Sequence, residues 1–419
     1  MIHVKKLSSN KIGIALALSS VFYLSACGED TTITNGEGFN KNTNTDFNQG
    51  QLVIGLIDNV ITPTYQQFSE LASSQKEAVT QYCNVEKTAN TSLALETKLV
   101  AQESWRSAMN GWQLVEMMQL EPLLKDDGVL RNNIYSWPTK NSCGVDLDVS
   151  FFKADSINGQ PYDITKRTPS RKSLVAVEYL LFNDNLVHSC TGTATPVDWN
   201  NQSEQYRKIA RCEFAVEVTS DIQNNAQILL TDWLGVDGNS GYAAKLKSAG
   251  KPGSEFATEH DAVNKLSDAL FYFSKFTKDA KLAKPLGLFA NNCGTQACSQ
   301  EVESTYAEYS LENIVNNLQA LKMFMQGGIS AEESSLLGFN DYLIDVGDSS
   351  SAETINKHLE LAIASTQSYQ ESLAKTLDND PDKVMQTHDQ VKKITDKLKS
   401  DFITSLALEL PKTAAGDND

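Results

Sequence analysis

From residue 53 onward, apolar positions recur at three- and four-residue spacing, and no alternating strand pattern persists. This periodicity predicts an all-α chain. A first helix runs from Val53 to about Cys83, bent at Pro63. A second, capped by Thr91 or Ser92, reaches about Met118 with Leu95, Leu99, Trp105, Met109, Trp112 and Val115 as its stripe. Pro122 and Asp126-Asp127-Gly128 interrupt the pattern, and 129–160 reads as irregular around Trp137-Pro138. A long helix is expected over Asp198–Trp233 and another over Ser254–Leu282, which ends at Lys284-Pro285-Leu286-Gly287. Ser310 can cap a helix stopped by Gly327-Gly328. Ser330-x-x-Glu333 and Ser350-x-x-Glu353 read as capping boxes, and Asp380-Pro381 opens the last long helix, to about Leu410.

The most apolar run after the first 26 residues is Ser173–Phe182, and it carries one carboxylate, Glu178. Ser170 is placed to cap it. On a helix, Glu178 shares a face with Leu174, Leu181 and Phe182. A buried acid must be paired, hydrogen-bonded, protonated or metal-bound, because burying a bare charge is costly. A structural ion pair and a functional site are both open readings. Arg207 and Arg211 lie four apart on the following long helix, and Arg211 is the first candidate partner, since guanidinium binds carboxylate bidentately.

A body of this length exceeds what one core usually serves, so two helical-bundle domains are expected, 49–245 and 246–419. The glycines at 235, 238, 241, 250 and 253 mark the boundary. Glu178-Tyr179-Leu180 echoes Asp341-Tyr342-Leu343, a weak sign of duplication.

The N-terminus changes the picture of where the chain works. Lys5, Lys6 and Lys11 precede an apolar run, Ile12–Leu24, and then Leu24-Ser25-Ala26-Cys27. That order reads as a lipoprotein signal peptide over 1–26, with Cys27 the lipidated residue and 27–48 a polar tether. The expectation is a cell-envelope protein anchored to the outer membrane through Cys27, with the bilayer as its first partner. Gly28 after the cysteine fits outer-membrane sorting. Formal net charge is −17, and loss of the leader makes the body more acidic still. Such a balance argues against nucleic-acid binding. Cys83, Cys143, Cys190, Cys212, Cys293 and Cys298 are an even set in an exported chain, which implies up to three disulfides. Cys293–Cys298, Cys190–Cys212 and Cys83–Cys143 are the natural guesses among fifteen pairings.

Recognisable catalytic motifs are missing. There is no His-Glu-x-x-His, Gly-x-Ser-x-Gly, Gly-Lys-Ser or Gly-x-Gly-x-x-Gly. A metal site would have to draw on Glu178, Asp341 and a distant histidine. Trp137 and the other four tryptophans can line a pocket or fill the core.

Several blocks, in order, resemble the imelysin family (peptidase M75). They are Ala101-x-x-Ser104-Trp105-Arg106-x-Ala108 with Glu116 and Pro122, Ile134-Tyr135-Ser136-Trp137-Pro138, and Ala176–Phe182. Arg207-x3-Arg211 with Asp232-Trp233, Lys284-Pro285-Leu286-Gly287, Glu303-Ser304, Tyr309-Ser310, Asn316–Leu321 and Gly338–Leu343 follow. The resemblance implies two helical-bundle domains with a site at their interface, in exported or lipid-anchored proteins tied to bacterial iron uptake. The family hallmark is Gly-x-His-x-x-Glu. Here the segment is Ser173-Leu174-Val175-Ala176-Val177-Glu178, which keeps the glutamate but has valine for the histidine. Valine neither ligates a metal nor moves a proton.

The function expected is therefore a non-enzymatic envelope protein that binds iron or haem, or docks with iron-uptake envelope proteins. Glu178, Arg211, Asp341, Trp137 and Ser304 are its candidate ligand or interface residues. A metallopeptidase with a variant site and an envelope scaffold are the alternatives.

Overall fold

The computed structural model describes residues 46–236, 238–328 and 336–411. Cys27, the leader and the Ser330-x-x-Glu333 box lie outside the described residues. The body is helical, as the periodicity predicts. α1 (Gln49–Leu56) passes through a π-helical turn (Ile57–Ile61) into α2 (Thr62–Glu86), with Pro63 in the first turn of α2. There the missing N–H of proline costs nothing, so the bend falls where proline is tolerated.

α3 (Thr91–Glu116) lies against α2, and its cap is Asn90 rather than Thr91 or Ser92. α4 (Glu121–Ile134) is two short helices across a kink at Lys125–Gly128. α5 (Ser142–Lys153) occupies part of the stretch read as irregular. α6 (Leu174–Phe182) is the Glu178 helix. Its N-cap is Ser173, and Ser170 instead lies in a 3-10 turn, Pro169–Arg171. α7 (Glu204–Leu234) is the longest helix described and packs on both α2 and α6.

The glycine-rich stretch holds a two-residue ladder, Gly235–Val236 with Asn239–Ser240, and α8 (Tyr242–Lys247). α9 (Glu259–Leu270) opens on a Thr258/Asp261 capping box, and a π-helical segment (Ser274–Ala283) runs into the single turn α10 (Lys284–Leu286). α11 (Ser310–Gln326) ends at Gly327, whose φ of 79° and close approach to the Leu337 carbonyl both demand glycine. α12 (Phe339–Asp345), α13 (Ser349–Gln367), α14 (Leu373–Asn379) and α15 (Pro381–Lys397) follow. Asp380 caps α15 with Pro381 as its first residue, as the sequence predicts. A π-helical turn (Leu398–Phe402) and α16 (Ile403–Ser405) close the described chain.

The buried apolar core runs without a break from Leu52 to Leu408. Helix packings that tie the sequence-defined halves together include α1 on α9 and α3 on α11. The second of these positions the site.

Three disulfides form, but two pairings differ from the guess. Cys83 joins Cys212 and Cys143 joins Cys190, while Cys293–Cys298 closes its small loop as expected. Helix packing decides the first: Cys83 on α2 and Cys212 on α7 are apposed because those helices run side by side. Sequence proximity favoured the wrong neighbour.

Candidate functional site

α6 is wedged between α3 and α7 and is fixed at both ends. Trp105 Nε1 of α3 donates to the Leu174 carbonyl (3.0 Å), and Gln102 Nε2 donates to that of Leu181 (2.9 Å). The Trp-Pro turn docks on the start of the helix, where the Ser136 and Ser173 hydroxyls lie 2.9 Å apart. Glu178 therefore sits on a rigid element, and its carboxylate is buried.

That carboxylate has no arginine. Its Oε1 accepts two backbone N–H groups, Tyr306 (2.8 Å) and Ala307 (3.1 Å). Burial pushes the group up to about 7. The two N–H bonds and the Lys140 ammonium pull it down, and Glu303 pushes it further up. Arg211 is held elsewhere. Its guanidinium donates to Asp146 Oδ1 (3.1 Å), the Tyr179 hydroxyl (3.3 Å) and the carbonyls of Asn183 (3.3 Å) and Asn185 (2.8 Å). Asp146, on the inner face of α5, out-competes Glu178 for it.

The loop that holds Glu178 also carries a second buried acid, Glu303. Its Oε1 accepts from the Tyr135 hydroxyl (2.6 Å) and Gln113 Nε2 (3.1 Å), and its Oε2 lies 3.2 Å from Lys281 Nζ. Lys281, in the π-helical segment, donates also to Glu116 Oε2 (2.7 Å) and Gln113 Oε1 (2.5 Å). Asn317 Nδ2 of α11 reaches the Gln113 carbonyl (2.8 Å) and Gln113 Oε1 (3.0 Å). The network thus links α3, α11, the π-helical segment and the 302–309 loop. Burial raises Glu116, and its neighbour Glu303 adds to the effect, while Lys281 and Asn317 oppose it. Burial and the two acids hold the Tyr135 hydroxyl protonated, so it donates.

Of the residues named from sequence, Glu178, Trp137 and Ser304 come together here. Lys281 Nζ stands 5.8 Å from the Trp137 ring centroid. Ser304 adopts φ 48°, and its Oγ accepts from Asn313 Nδ2 (3.0 Å). Asp341 instead accepts from the Gly338 N–H (2.8 Å) at the start of α12. Sequence reasoning did not single out Lys281 or Gln113. Glu116, Tyr135, Glu303 and Asn317 stood in the family blocks, and that was the only signal for them.

A family model described as peptidase M75, imelysin, matches residues 61–400. The chain belongs to the imelysin family. A curated relative, iron-regulated protein A of Synechococcus elongatus, is 24% identical over 286 residues, which is 68% of this chain and 64% of that protein. This imelysin-family chain thus aligns with just under two thirds of that relative's length.

Two solved structures share its fold. One is described as a candidate iron-regulated protein A precursor from Parabacteroides distasonis, with TM-score 0.65 and 18% identity over 85% of this chain and 94% of that one. The other is an imelysin-like protein from Psychrobacter arcticum, with TM-score 0.65 and 15% identity over 88% and 99%. The three disulfides fit an oxidising, extracytoplasmic compartment. At the imelysin signature, Val175 takes up the first turn of α6, one turn before Glu178.

Proposed function

We propose that this protein is a non-enzymatic component of iron or haem acquisition that binds its ligand where α3, α6, α11 and the 302–309 loop meet. One observation carries the reading. Three buried carboxylates, Glu116, Glu178 and Glu303, meet at a junction with one buried ammonium, Lys281, which pairs with Glu116 and Glu303 but not with Glu178. Buried acid in excess of buried cation is costly unless something positive or hydrogen-donating joins it. Asn313 Oδ1 adds a buried acceptor with no partner among the described residues.

Iron fits this need, and carboxylate oxygens are suitable hard ligands for it. Among the described residues no group of three or more His, Cys, Asp or Glu is gathered to hold a metal ion. The site is therefore suited to iron that arrives with part of its coordination sphere filled, as a chelate or as haem. The iron-regulated naming of the relatives accords with this. We further infer that Cys27 is lipidated and tethers the body to the outer membrane, beside partners of iron uptake.

A carboxyl group poised near neutrality also suits a general base, which is what favours the metallopeptidase reading. Against it stands Val175 at the signature position. Calorimetry of the purified protein with haem, ferric citrate, ferrous ion and zinc tests the binding reading. Binding of haem or ferric citrate, weakened by Glu178→Gln, is the expected result. Silence across the panel sinks it, and chelator-sensitive proteolysis abolished by Glu178→Gln would replace it with the peptidase.

A further inference from the structure

A cleft remote from Glu178 in chemistry lies on the outer face of α5. α5 is two-sided. Val145, Asp146, Asp148 and Val149 point inward and are buried, while Leu147, Ser150, Phe151 and Ala154 follow helical spacing on the opposite side. The second wall is the loop from Thr193 to Trp199. That loop is pinned at both ends. Cys143–Cys190 ties its start to α5, and Trp199 Nε1 donates to the Leu186 carbonyl (2.8 Å) at its end. The cleft is therefore built in advance of any ligand, which lowers the entropy cost of binding. Its volume of about 530 Å³ falls within the span of roughly 300–1,000 Å³ usual for small-ligand sites.

The lining has a distinct chemistry. Phe151 and Tyr206 present partly exposed aromatic rings, with Lys153 Nζ 5.8 Å from the Tyr206 centroid, while Trp199 is buried at the base of the loop. Phe151 joins no aromatic pair among the described residues, whereas its neighbour Phe152 packs on Tyr162 and Phe214. The hydroxyls of Ser150, Thr193 and Thr195 have no hydrogen-bond partner among the described residues. Lys153 is the sole charged residue of the lining, and its ammonium is committed to Glu213 Oε2 at 2.6 Å. In a chain of net charge −17, a cleft offering rings and free hydroxyls but no free charge is unusual. Rings that cover apolar C–H faces, with hydroxyls that pair with hydroxyls, select an uncharged polyhydroxylated molecule.

We propose that the cleft between α5 and the Thr193–Trp199 loop is a second binding site, for a neutral saccharide. It is separate from the Glu178 junction, which is built of buried charge. Such a site would let an envelope protein hold glycan while it handles iron elsewhere.

The test is calorimetric titration of the full-length protein with maltotriose, cellotriose and N,N′-diacetylchitobiose. At least one is expected to bind. Phe151→Ala, on a half-exposed ring, should weaken that binding about tenfold, which corresponds to about 1.4 kcal/mol. Thr195→Val should weaken it several-fold while the near-ultraviolet circular dichroism stays unchanged. Glu178→Gln should leave it unaltered. Failure of all three saccharides to bind at millimolar concentration overturns the proposal. So does saccharide binding that survives Phe151→Ala and Thr195→Val, or that is lost with Glu178→Gln.

Discussion

Two buried charge clusters meet α6, one through Tyr179 and the other through Glu178, and they are built on opposite balances. On the α5 side, Asp146 is met by Arg211, and Asp148 by both Arg167 and Arg171. Arg167 is bidentate on Asp148 at 2.8 Å through both Nε and Nη2. Two acids there have three guanidiniums, and Asp146 further accepts from Tyr179, Ser189 N and Ser189 Oγ. On the junction side, Glu116 and Glu303 share Lys281, and Glu178 is left to backbone N–H groups. The carboxylate oxygens of the first cluster are all engaged, and the buried atom left without a partner there, among the described residues, is a donor, Arg211 Nε. The second has carboxyl groups pushed upward by burial. Buried polarity alone therefore does not mark a site; a surplus of buried acid over buried cation does.

Mutations can break this contrast, and the largest effect is expected from Lys281→Met. It leaves Glu116 and Glu303 without their cation, and loss of one partner of a buried ionic set costs about 3–5 kcal/mol. Chemical denaturation at pH 7.5 should show that loss, with partial recovery at acid pH as Glu116, already raised by burial, takes up a proton. A pH-independent loss would mean that the acids do not carry the effect.

Glu178 sets the next prediction. Its folded value of about 7 lies above the ordinary 4.5, so the folded state holds the proton more tightly. Stability from this group is then fully present below pH 4.5 and is lost as pH rises through about 7. A shift of that size corresponds to about 3 kcal/mol. Glu178→Gln should remove this slope, and its stability relative to the parent should rise between pH 5 and pH 8. A parallel pair of curves would contradict the assignment.

Asp146→Asn is expected to cost about 2–3 kcal/mol, because Arg211 keeps its two carbonyl acceptors but loses its counter-charge. Unlike Lys281→Met, it should leave ligand binding intact. Ligand affinity lost with this variant would mean that the two clusters are not separable. Tyr135→Phe, which removes one donor from Glu303, should cost about 1–2 kcal/mol. Denaturation midpoints resolve both.

Much of the fold was legible because local signals and packing agree. Pro63, the Gly327 stop and Asp380-Pro381 each mark an observed helix boundary. α5 was missed for a physical reason. Asp146 and Asp148 read as loop polarity, yet both are fully buried, offset by arginines more than 15 residues away. The same long-range pairing hid the true partner of Arg211. Lys281 was equally opaque, since a lysine on an amphipathic helix reads as solvated until its partners on α3 and the 302–309 loop are in place. Cys83–Cys212 depended on the packing of α2 against α7, which spacing does not encode.

The central claim is that ligand binds against the loop that holds Glu178. Amide hydrogen exchange at Tyr306 and Ala307, with and without haem or ferric citrate, tests it most directly. Slowing of both amides by tenfold or more on binding, absent in Glu178→Gln, is the expected result. Binding of either probe with exchange at these two amides unchanged would contradict it.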